Sequence, residues 1–117
     1  MKYINKKAEG LKLQENEYRN ILSIANKMNQ IYLDNGGSYK DENSEEIFDN
    51  HLVTFANRLI NHKLLNEEEI ELSDIDQKSL NLARLMSFDI TNKYQEEMTK
   101  IELLLIATHI QINKAEE

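Results

Sequence analysis

The chain has 117 residues, one ordinary domain's worth, with 21 acidic against 14 basic side chains and a formal net charge of −7. Without cysteine it builds neither a disulfide scaffold nor a thiolate metal site, and an acidic domain lacks the clustered Lys and Arg that binding a nucleic-acid backbone needs. The 40% hydrophobic share is too high for a disordered acidic tail, and no run of about 18 apolar residues offers a membrane span.

Residues 1–13 read as a loose lead-in, with Lys2, Lys6 and Lys7 solvated and Gly10 as an interruption; residues 14–117 read as a single helical domain. No apolar stretch follows the N-terminal charges, so no signal peptide is expected and a cytoplasmic location is the default. From about Gln14, Tyr18, Ile21, Leu22, Ala25, Met28 and Tyr32 recur on one helix face. Asp34-Asn35-Gly36-Gly37 supplies residues that tolerate the left-handed backbone of a helix stop. A polar loop over Ser38 to Glu42 follows.

A second helix is expected from Asn43 or Ser44, with Asn43 as N-cap, Glu46 three residues on, and a core face of Phe48, Leu52, Phe55 and Leu59. It should end near Leu64. Asn66 to Leu72, with four glutamates, reads as a solvated link. Ser73 with Asp76 reads as the next N-cap pair, opening a helix with Ile75, Leu82, Leu85, Met86 and Ile90 on or near its buried side. A break is expected around Asn92 to Gln95. The last helix, from about Glu97 to Ile112, is apolar nearly all round and is expected to be the most buried element. No segment alternates at period two. With no proline and three glycines, the fold class is all-α: a compact bundle of four to five mostly antiparallel helices with short connections.

Two of the three histidines have matching settings. His51 lies three residues after Phe48 and four before Phe55; His109 lies four after Leu105 and three before Ile112. Both therefore sit on or beside an apolar face, where a histidine commonly serves only the packing of a core edge. Seven residues return to within ~20° of the starting direction with a rise of ~10.5 Å, so Arg58 shares a stripe with His51, and Glu102 with His109. His62 lies eleven residues past His51, ~16 Å along the axis, too far to share a metal with it on one helix. The paired-histidine zinc motif, phosphate-binding glycine loops and the strained serine turn are all missing. Nothing in the spacing argues for a metal or another cofactor.

Together the two stretches resemble the PTS regulation domain (PRD), the helical module of bacterial sugar-responsive antiterminators and activators. The first is His51-Leu52 followed by apolar residues and Arg58. The second is Glu102, an apolar run, and His109-Ile110, its histidine 58 residues after the first. The resemblance covers about residues 14–114. Two departures stand out: Asn50, not an acidic residue, directly precedes His51, with Asp49 one step back, and the family's Tyr-Pro segment before the third long helix is missing.

The resemblance implies a regulatory module without catalytic turnover. His51 and His109 would accept phosphoryl groups from the phosphocarrier HPr or a sugar-specific enzyme IIB component, reporting sugar supply through a homodimer or a partner regulatory protein. Arg58 would meet a charge on His51, and Glu102 would orient the His109 ring. One module leaves no room for a nucleic-acid-binding domain, so direct contact with nucleic acid or a membrane is not expected. The alternative is a helical dimerisation or docking module whose histidines are purely structural.

Overall fold

The computed structural model describes residues 2–11, 13–66 and 74–114. Five helices follow in order: α1 (Lys2–Gly10), α2 (Glu15–Asp34), α3 (Glu42–Ile60), α4 (Gln77–Lys93) and α5 (Lys100–Asn113). Among the described residues there is no strand. The all-α bundle expected from periodicity is the fold. α3 lies at its centre, packed on α1, α2 and α5, while α2 also touches α1 and α4, and α4 packs on α5.

The stripe on α2 is buried through Ile21, Ala25, Met28 and Tyr32, with Tyr18 and Leu22 at its edge. Phe48, Leu52, Phe55 and Leu59 of α3 are all fully buried. The cap of α3 is Asp41, whose Oδ1 accepts from the Ser44 amide at 2.7 Å, not Asn43. Asp41 stands two residues earlier than Asn43 and three before Ser44, so its carboxylate meets the free amides of the first turn. Asp76 caps α4 by accepting from the Ser79 amide at 2.8 Å, and Thr99 caps α5. Ser73, expected as a cap, and most of the glutamate-rich link lie outside the described residues.

Three helices end alike. In each, the amide two positions past the C-cap reaches back five residues: Gly37 to the Tyr32 carbonyl at 2.8 Å, Lys63 to Arg58 at 2.8 Å and Glu96 to Thr91 at 2.9 Å. This closure needs a left-handed residue just before it. Gly36 fills that place in α2 with φ 87°, but His62 (55°) and Gln95 (56°) fill it in α3 and α4. Gly37 is required for another reason: a Cβ there would lie 2.5 Å from the Tyr32 carbonyl oxygen.

Expectations for both ends of the chain are corrected. The lead-in is helix α1, because Ile4 and Ala8 are fully buried, Tyr3 nearly so, and Leu11 packs on the same core. Their four- and seven-residue offsets make a short stripe that docks on α2 and α3, and the Tyr3 hydroxyl donates to Glu42 at the start of α3. Nor is α5 the most buried element. It packs on α3 and α4, which cover Leu103, Ile106, Ala107 and Ile110 but leave Leu104 and Leu105 half-buried and Ile112 45% exposed. On α4, Leu85 is also exposed, and Leu80 is buried in the core.

Candidate functional site

α3 and α5 lie side by side, and each carries one histidine and one charged residue seven positions apart. The helices run antiparallel, so the residues meet as two rungs. His51 faces His109 with ring centroids 4.9 Å apart. Two turns along, Arg58 meets Glu102: Nε donates to Oε2 at 2.7 Å and Nη2 to Oε1 at 2.6 Å. Two stretches far apart in sequence thus form one site.

The histidine rung rests on an aromatic base. Phe48 stacks on the His109 ring at 5.8 Å and 29°, and its other neighbours are Tyr32, edge-on at 4.8 Å, and Tyr39 at 6.1 Å. Both histidines are half-buried. Burial holds the His51 ring down to about 4, helped by His109 and by the Arg58 guanidinium. Burial also lowers His109. Both rings are therefore neutral near pH 7, each with a nitrogen lone pair available. The His51 Nε2 atom is buried with no hydrogen-bond partner among the described residues.

The charged rung differs from what each motif suggests alone. Arg58 was expected to stand ready for a charge on His51, and Glu102 to orient His109. Instead the two pair with each other. Glu102 is fully buried, and its Oε2 also accepts from the Leu65 amide at 2.9 Å. The 18% exposed Arg58 side chain remains near enough to depress the basicity of His51. A motif read along one helix cannot show its partner across the seam.

A third cluster carries no motif in the sequence. Asp49 is 2% exposed, and its Oδ1 accepts from Asn29 Nδ2 at 2.8 Å and from the Tyr39 hydroxyl at 3.3 Å. Burial, reinforced by Glu45, pushes its carboxyl up to about 6. The available signal was an acidic residue between Phe48 and the apolar run that begins at Leu52. His62 takes no part in the ring pair: it is exposed and pairs with Glu96 beyond α4.

A cleft of about 580 Å³ opens elsewhere, lined by Gly36, Lys78, Leu82, Ile110 and Lys114 among others, and neither histidine borders it. No helix among the described residues is long and apolar enough to cross a membrane. Comparison with protein-family models, curated proteins and solved structures finds no match to this chain.

Proposed function

We propose that the chain is a regulatory module of the PRD type, sensing the state of the bacterial phosphotransferase system through phosphorylation of His51 and His109 and acting through a homodimer or a partner protein in the cytoplasm. The observation that carries this reading is the meeting of the two motif histidines, ring to ring at 4.9 Å. Neutral imidazoles suit a phosphoryl acceptor, because the attacking nitrogen needs its lone pair. The His51 Nε2 atom has no hydrogen-bond partner among the described residues, so no protein contact competes for it. Exposed Leu85 and Phe88, one turn apart on α4, support the partner-binding half of the proposal.

In the transfer, the P–N bond of the carrier's phosphohistidine breaks as an N–P bond forms to the acceptor ring. The acceptor's N–H proton leaves to solvent, and the carrier nitrogen takes one up. Incubation with phosphorylated HPr or IIB, followed by mapping of the labelled residue, should place the phosphoryl group on His51 or His109, with loss in the corresponding alanine variant. Absence of label on both, with active carriers, rejects the proposal.

A further inference from the structure

We infer that the Arg58–Glu102 pair is a charge lock, which an anion placed on His51 releases, loosening the seam between α3 and α5 and the start of the loop after α3. The inference deepens the phosphoacceptor reading and rests on it for the source of the anion.

Glu102 is fully buried and held at both oxygens: Oε1 by Arg58 Nη2, Oε2 by Arg58 Nε and by the Leu65 amide. The carboxylate thus fastens α5 to α3 and to the chain leaving α3. Thr99, which caps α5 under Glu102, adds a second tie by donating to the Leu65 carbonyl at 2.6 Å. Arg58 stands two turns from His51 on the same face of α3, and its charge lowers the basicity of that ring. In the resting state one guanidinium balances one carboxylate and the rings are neutral.

A phosphoryl group adds about −1.5 to −2 charges. Arg58 then faces two anions, one of them sealed from water. A buried carboxylate that loses its partner is strongly disfavoured. If Arg58 is shared or transferred, the Glu102 end of the seam must admit water. The Leu65 amide reports that entry, since it donates to the same oxygen as Arg58 Nε and so lies where the water arrives.

The test sets the charge without a carrier. His51→Glu places a carboxylate at the ring position. Separately, the native chain is treated with phosphoramidate, whose P–N bond breaks as the N–P bond to the ring forms, ammonia leaving with the ring proton. Amide hydrogen exchange is followed at Leu65 and, as reference, at Gly37, whose bond to Tyr32 closes the distant end of α2. The lock requires Leu65 exchange to rise about tenfold over Gly37 in at least one arm. It also requires Glu102→Gln, which removes one of the competing anions, to abolish that rise. Leu65 moving in step with Gly37 in both arms, or a rise that persists with Glu102→Gln, overturns the lock. Failure of HPr or IIB to label the chain would instead reject the functional proposal, and the His51→Glu arm would still decide the lock.

Discussion

Two side chains on α3, His51 and Asp49, are pushed in opposite directions by one cause, burial that penalises the charged form. His51 is held down to about 4 from 6.5, and Asp49 is pushed up to about 6 from 3.8. Their pH effects therefore oppose each other. Between pH 6.5 and 4 the unfolded chain protonates His51 and the folded chain does not, so this group's contribution to stability is lost as pH falls. Between pH 6 and 3.8 the folded chain keeps the Asp49 proton that the unfolded chain releases, so this group's contribution grows as pH falls. Relative to the native chain, His51→Asn should gain stability on going from pH 6.5 to 4, and Asp49→Asn should lose it. Urea midpoints measured across that range check both signs; a His51→Asn curve parallel to the native one would show the ring to be solvated.

The helix ends give a prediction at the scale of the element. Gln95 holds a left-handed backbone that disfavours any residue with a Cβ by roughly 1–2 kcal/mol. Gln95→Gly should therefore raise stability by about 1 kcal/mol, allowing for the greater freedom glycine has when unfolded. His62→Gly should gain less, because it also removes the pairing with Glu96. Gly37→Ala should lose about 1–3 kcal/mol, since its methyl would press into the Tyr32 carbonyl. Thermal unfolding of the three variants should rank them Gln95→Gly, His62→Gly, Gly37→Ala. These ends also mark how far the sequence could be read. The end of α2 was legible because glycine announces it. The end of α3 was expected near Leu64 and comes at Ile60, because the left-handed residue is a histidine that no composition rule flags. The seven-residue spacing put His51 with Arg58, and His109 with Glu102, on one stripe each, whereas the Arg58–Glu102 pairing depends on how α3 and α5 pack, which periodicity along one helix does not encode.

At the scale of the whole molecule, the bundle is closed by a helix that the sequence hid. Ile4, Ala8 and Leu11 form a stripe too short to stand out among lysines, and only contact with α2 and α3 gives it meaning. Ile4→Ala should lower stability by about 2–5 kcal/mol in one cooperative transition, whereas a true lead-in would leave the urea midpoint unchanged. The opposite error concerned α5, whose apolar circumference promised full burial, but two packing neighbours cover only one side of a helix. The aromatic base under the histidines has an optical consequence. The chain has no tryptophan, so its native emission comes from five tyrosines. Two of them, Tyr32 and Tyr39, touch Phe48, which lies against the His109 ring. A charge arriving on that ring changes the surroundings of two of the five emitters, so the molecule carries an unlabelled fluorescent gauge of its own histidine site.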